Sequence, residues 1–200
     1  MKVIGLCGGS GSGKGETSRI FSELGFAVID TDLVYRELTS GNSECTEALR
    51  REFGDEVISP SGALDRRALA ALVFRGDGAD ARRLRLNEIA HRYILAETRR
   101  RLSLYKADGY PCSVVDAPVL FESGFDKECD VIVSVVADKN IRLSRITARD
   151  NISLEAAEER IASQLKDEEI ISRSDFVIRN NGDFSELSRQ VVEVAEKILK

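Results

Sequence analysis

The stretch GLCGGSGSGKGET, residues 5 to 17, constrains this chain more than any other. Gly8, Gly13 and Lys14 stand at the GxxxxGK spacing of a phosphate-binding loop. Such a loop needs a strand before it and a helix after it, because there the free backbone N–H groups and the positive end of the helix dipole converge on an anion. The flanks supply both. Val3 to Leu6 is a short apolar run ending in glycines, and Glu16 to Leu24 carries Ile20, Phe21 and Leu24 before a stop at Gly25. Phe26 to Ile29 reads as a second strand ending at Asp30, so residues 2 to 30 form a βαβ unit with a parallel sheet.

Inside the loop, Gly8, Gly11 and Gly13 permit tight turns, leaving the amides of Gly9, Ser10, Gly11, Ser12, Gly13, Lys14 and Gly15 to wrap a β-phosphate. Lys14 brings a full positive charge to the β and γ oxygens. The next position, where a Ser or Thr hydroxyl ordinarily meets magnesium, is Gly15. Thr17 cannot take over, since two residues along a helix is about 200° around its axis. Thr17 reads as structural, and Glu16 as a first-turn acid favoured by the helix dipole. A similar Lys-Gly pair occurs in adenylate kinases, which act with magnesium held largely through water, and this loop resembles theirs. The expectation is a working ATP site with a loosely anchored Mg2+ and no direct protein ligand to it.

Further buried strands are expected at Ser113 to Val115, Val131 to Val136 and Phe176 to Ile178. A final helix places Leu187, Val191, Val194 and Ile198 on one face. Between Leu33 and Tyr110 the periodicity is helical without a strand: Thr46 to Phe53, Asp65 to Phe74, and a long helix from Ala81 to Leu102 presenting Leu84, Leu86, Ile89, Ile94 and Leu95. From Arg75 to Lys106 nine Arg or Lys face four Asp or Glu, either a solvated helix face or, taken as a cluster, a surface for an anionic acceptor.

Composition removes several function classes. With 200 residues, 42% hydrophobic and 32% charged, the chain fits one soluble globular unit. A net charge of -5 argues against general nucleic-acid binding. The four cysteines form no CxxC pair and the single His91 cannot complete a zinc site of the usual His/Cys composition, which suits a reduced cytoplasm. The apolar part of the opening MKVIGLCGG is too short for a signal sequence, and no apolar run approaches the ~18 residues of a membrane span.

The string VIDTDLVYRE, residues 28 to 37, ends a strand at the sheet edge where open α/β folds place their ligands. Asp30 is either a cap or a functional acid, and Asp32 is the candidate base for an attacking hydroxyl. In SVVDAPVLF, residues 113 to 121, a strand breaks at Pro118, and Asp116 is positioned to meet a magnesium-bound water. Arg142, Arg145 and Arg149 fall within about a 60° arc of a helix, where like charges repel and a polyphosphate would offset the repulsion. Arg149 is either an ATP contact or the partner of Asp150. Asn181-Gly182 reads as a turn.

Together these strings resemble the dephospho-CoA kinases nearly end to end: GLCGGSGSGKG, VIDTD, GALDRRALAALVF at 62 to 74, His91, DAPVLFESG at 116 to 124, RLSRITARD at 142 to 150, Gln164, and VIRNNGDFSEL at 177 to 187. The chain departs from that family's usual pattern at Gly15-Glu16, where Ser-Thr or Thr-Thr is usual, and at Arg92, where Pro is usual. The resemblance implies a P-loop kinase-type three-layer α/β/α core with a parallel sheet, a helical acceptor-binding insertion and a small helical lid. The expected divisions are a core of residues 1–32, 111–140 and 172–200, a CoA-binding lobe of 33–110 and a lid of 141–171.

The implied reaction is transfer of the ATP γ-phosphoryl group to the ribose 3′-hydroxyl of dephospho-CoA. The resemblance makes Asp32, Lys14 and Arg145 catalytic. It gives ATP contacts to residues 9 to 17, Arg142 and Arg149, and acceptor contacts to Asp32, Arg67, His91, Pro118, Leu120 and Glu122. Asp32 and Asp116 reach the metal through water. Glu122 is alternatively a fold-stabilising loop acid, and His91 a packed helix residue. The expected partners are small molecules, with no nucleic acid or membrane, for a monomer or small homo-oligomer. Two other readings compete: an adenylate-type nucleoside monophosphate kinase, whose loop usually has Pro and Thr where this one has Ser10 and Glu16, and a non-catalytic nucleotide-sensing P-loop protein, supported only by Gly15.

Overall fold

The computed structural model describes residues 1–200 and contains a five-stranded sheet. Its strands are β1 (Lys2–Cys7), β2 (Ala27–Asp30), β3 (Cys112–Asp116), β4 (Val131–Val136) and β5 (Phe176–Arg179), in the order β2-β3-β1-β4-β5. β1 pairs in parallel with β3 and with β4, aligning Ile4 with Val114 and Leu6 with Val133, and β4 pairs in parallel with β5. From β1 the chain turns towards β2 on one side of the sheet, and from β4 towards β5 on the other. The carboxyl ends of β1 and β4 therefore flank the switch point at which doubly wound sheets open a ligand crevice.

Near-continuous apolar strands predict a sheet covered on both faces. Ile4, Leu6, Val114, Val133, Val135 and Ile178 are buried against Ile20 and Phe21 of α1 (Lys14–Glu23) and against Leu187, Val191, Val194 and Ile198 of α9 (Phe184–Leu199). The expected inner face of the last helix is thus the observed one. On the opposite face, Gly5 of β1 lies over Leu120 and Cys129, and α8 (Asp167–Ser172) packs on β4. Helices on both sides complete the three layers.

Contacts divide the chain into two compact units, Met1–Ile29 with Leu102–Lys200, and Asp30–Arg101. The second is helical, as the periodicity predicts: α2 (Thr31–Leu38), α3 (Glu44–Phe53), α4 (Arg66–Val73) and most of α5 (Ala79–Ala107). Ser43 caps α3 through the Thr46 N–H, and Asp65 caps α4 through the Arg67 and Ala68 N–H groups. Cys45, Leu49, Phe53, Val57, Leu64, Leu69, Val73 and Ile89 form this unit's own core.

The structure corrects three details. An isolated antiparallel bridge joins Ile58 and Leu64, the helix α5 is longer than its apolar pattern, and Leu84, expected inside, is 63% exposed. In the first unit, α6 (Lys139–Asp150) and α7 (Leu154–Ala162) share a small separate cluster of Leu143, Ile146 and Ala157.

Candidate active site

The phosphate-binding loop runs from the end of β1 into α1, with Gly13 at the helix N-cap in the left-handed region. The first-turn amides of Lys14, Gly15 and Glu16 have no acceptor within the helix, which makes the start of α1 an anion-binding terminus. Two amides expected to wrap phosphate are otherwise engaged. The Ser12 N–H donates to Gly9 O at 3.1 Å, closing a turn, and the Ser10 N–H donates to Gln164 Oε1 at 2.9 Å.

Gly13 is required for two reasons. Its φ is 98°, and a Cβ there would lie 2.0 Å from Nδ2 of Asn180, which donates to Ser12 O at 2.8 Å. Asn180 is 6% exposed and its own N–H donates to Val136 O, so its amide is wedged between the sheet edge and the loop. Gly13→Ala is expected to destabilise the fold by roughly 1–3 kcal/mol from the left-handed backbone alone, with the clash added. Asn180→Ala relieves the clash but also loses the bond to Ser12 O, so in thermal denaturation the double variant should lose less Tm than the two single variants summed.

Lys14 forms an ion pair with Asp116, the last residue of β3, in a nearly buried setting. β3 and β1 are parallel neighbours, with Leu6 opposite Asp116, so the lysine and the acid meet at the carboxyl edge of the sheet. Gly15 is exposed, and a Cβ there would meet nothing within 4 Å. Thr17 is fully buried and donates to Gly13 O at 3.2 Å, the structural role expected of it. Glu16 pairs with Arg19 on the helix surface. Cys7, beside the loop, stays a thiol, because burial pushes its pKa up to about 12.

The three α6 arginines diverge, and each has protein partners in place of the expected mutual repulsion. Arg142 is 4% exposed, donating to Ser10 O at 2.9 Å, Gln164 Oε1 at 3.0 Å and Asp167 Oδ1 at 2.9 Å. Arg145 donates from Nη1 to Asn180 O at 3.1 Å and to Gly11 O at 3.4 Å, which sets its half-buried guanidinium on the phosphate-binding loop. Arg149 turns outward to Asp150, at 2.7 and 2.8 Å, and this contact holds the Asp150 carboxyl down at about 2.

After β3 the chain turns over Pro118, which is exposed, as is Glu122. Both line a cavity of about 120 Å³ with Gly8, Gly9, Phe121 and Gln164. Leu120 corrects an expectation: it is fully buried, with its methyl carbons against Gly5, so its side chain is a core residue rather than an acceptor contact.

In the second unit, Asp30 is a helix cap, accepting from the Asp32 and Leu33 N–H groups at 2.8 and 3.0 Å. Asp32 is exposed in the first turn of α2, Arg67 is exposed in the first turn of α4, and His91 is half-buried on α5.

Two residues that shape the loop had no role assigned from the sequence. Asn180 follows directly on β5 at the ligand edge of the sheet, a position that could have drawn attention to it. Asn181 instead braces α6, accepting from the Asp138 N–H at 2.8 Å. Gln164 has no local signal, because its partners are more than a hundred residues away in sequence at Ser10 and on another helix at Arg142.

A model of the dephospho-CoA kinase family matches residues 2–186. A Symbiobacterium thermophilum dephospho-CoA kinase is 39% identical over 191 residues, covering 96% of this chain and 79% of the relative. A solved Thermus thermophilus structure superposes with a TM-score of 0.82 at 29% identity, covering 98% of this chain and 97% of that one. The dephospho-CoA kinase from Campylobacter jejuni superposes with a TM-score of 0.72 at 25% identity, covering 99% and 98%.

Proposed function

The chain belongs to the dephospho-CoA kinase family, and from that premise we propose how its residues divide the work of phosphorylating dephospho-CoA. The enzyme transfers the γ-phosphoryl group of ATP to the ribose 3′-hydroxyl of dephospho-CoA, giving ADP and CoA. One observation carries this reading: the family match spans the phosphate-binding loop, the helical insertion and the lid as one continuous run.

Phosphoryl transfer is mostly positioning and charge stabilisation. The bond from the γ-phosphorus to the β–γ bridging oxygen breaks, and a bond to the 3′-oxygen forms. Lys14 and the first-turn amides of α1 bind the β and γ oxygens, and Arg145, set on the loop, neutralises charge on the transferring group. Asp32 takes the hydroxyl proton. Arg67, His91, Pro118 and Glu122 are assigned to the acceptor. Residues 141–171 act as a lid that excludes water.

The donor set fits magnesium. Asp116 offers a hard carboxylate beside Lys14, and the open side of Gly15 leaves room for water. Mg2+ ordinarily binds one or two carboxylates plus phosphates and keeps several waters. Asp116 and Asp32 are assigned to hold it through water, and the ion, when bound, supplies neutralisation of the β and γ oxygens.

No helix is long and apolar enough to cross a membrane. Four free thiols suit a reducing cytoplasm and the net charge of -5 disfavours general nucleic-acid binding; a monomer or small homo-oligomer with small-molecule partners is the proposed state. The assignment is tested by incubating the protein with ATP, magnesium and either dephospho-CoA, AMP or no acceptor. ADP should form with dephospho-CoA alone, with CoA appearing by mass; turnover with AMP would reassign the acceptor.

A further inference from the structure

The turn between α7 and α8 is fastened to the phosphate-binding loop by one side chain. Gln164 Oε1 accepts two hydrogen bonds, from the Ser10 N–H at 2.9 Å and from Arg142 Nη2 at 3.0 Å. Arg142 closes the ring by donating from Nε to Ser10 O at 2.9 Å, and its Nη1 donates to Asp167 Oδ1 at 2.9 Å. Both peptide groups flanking Ser10 are thereby fixed from outside the loop. The ring is tight: a Cβ on Gly9 would fall 2.3 Å from Arg142 Nη2 and 3.1 Å from Gln164 Oε1.

A neutral amide suits this place. A carboxylate would accept the same two bonds but would add a second negative charge to Arg142, already paired with Asp167, beside a loop built for phosphate. An apolar side chain of the same size would leave the Ser10 N–H and one Arg142 nitrogen without their acceptor, and unmade bonds in a closed network cost more than made ones gain. Arg145 stands on the same helix as Arg142, three residues on, and its own grip on the loop is one long bond, at 3.4 Å to Gly11 O, beside a bond at 3.1 Å to Asn180 O after β5.

We propose that Gln164 is a positioning residue for phosphoryl transfer: by holding the Ser10 N–H and Arg142 together it seats α6, and Arg145 with it, on the phosphate-binding loop. The proposal rests on the role assigned above to Arg145. It locates the effect in kcat rather than in ATP binding, because Lys14 and the first-turn amides of α1 do not depend on Gln164.

The test compares wild type, Gln164→Leu, Gln164→Glu, Arg145→Ala and the Gln164→Leu/Arg145→Ala double variant. CoA formation, the KM for ATP, Tm and hydrogen exchange at the Ser10 amide are measured for each. Gln164→Leu should lower kcat on the order of 10- to 100-fold, the range of a small misplacement of a reacting geometry, with the KM for ATP little changed and Ser10 exchange accelerated. Gln164→Glu, which keeps both acceptor bonds, should keep Ser10 protected and lose less kcat than Gln164→Leu, its cost being the added charge beside the phosphate loop. In the double variant the leucine should add little to the loss already caused by Arg145→Ala. Losses that multiply in the double variant, or a kcat that falls only in step with Tm, would overturn the proposal. An active wild type beside an equally active Gln164→Leu would sink it alone, whereas a wild type that makes no CoA would sink the reading of the reaction as well.

Discussion

Arg145→Ala is expected to lower kcat for CoA formation by about 10³-fold or more, the scale at which a transition-state arginine acts, with a smaller change in the KM for ATP. The argument is positional. Arg142 and Arg145 both reach the phosphate-binding loop, at Ser10 O and Gly11 O, but the partners of Arg145 are neutral: Gly11 O and, at the end of β5, Asn180 O. Neutral carbonyls orient a guanidinium without cancelling its charge, so the charge remains for a transferring phosphoryl group. Its neighbours differ. Arg142 has a carboxylate in Asp167 and lies buried, and Arg149 is bound by both oxygens of Asp150. Arg149→Ala is accordingly expected to stay within about fivefold of wild type, the size of an exposed ion pair. Arg145→Lys should recover only part of the loss, since a point charge cannot span both carbonyls as a planar fork does. Steady-state kinetics with ATP and dephospho-CoA varied independently separate kcat from KM. A kcat for Arg145→Ala within tenfold of wild type would show that the charge is not used in the chemical step.

The contrast among the arginines shows what was legible in the sequence. Helical spacing put Arg142, Arg145 and Arg149 on one arc, and they do lie on one helix. Spacing carries no information about what stands opposite each side chain, and that decided their roles: Gln164 and Asp167 for one, Asn180 for the next, Asp150 for the last. The parallel strands were readable because burial on both faces forces near-continuous apolar runs such as VIVSVV, broken only by Ser134. Leu84 and Leu120 were misplaced for a related reason. Period alone cannot say whether a leucine at the margin of a helix stripe meets a neighbour, or that a leucine two residues after a proline turns back under Gly5. The phosphate-binding loop was legible because its conformation depends on local glycines, whereas Asn180 and Gln164 reach it only through tertiary contact.

Asp30 and Asp32 stand two residues apart, and substituting each should give opposite results. Asp30 caps α2 with its Oδ1, accepting from two backbone N–H groups. Asn caps nearly as well, so Asp30→Asn should leave both stability and kcat close to wild type, and Asp30→Ala should cost about 0.5–2 kcal/mol of stability. Asp32 lies in the first turn of α2, where a carboxylate gains about 0.3–1 kcal/mol from the helix dipole, and Asp32→Asn forfeits that small amount. In its proposed role, however, an amide cannot accept the proton leaving the 3′-hydroxyl, and the expected loss in kcat is about 10²- to 10⁴-fold. Geometry is preserved because Asn is isosteric, so the KM values should move little. Measured together, Tm and kcat separate the two aspartates: Asp30 acts on the fold and Asp32 on the rate. If Asp32→Asn instead lowered Tm slightly and left kcat within tenfold of wild type, Asp32 would be a first-turn acid and another group would accept the proton.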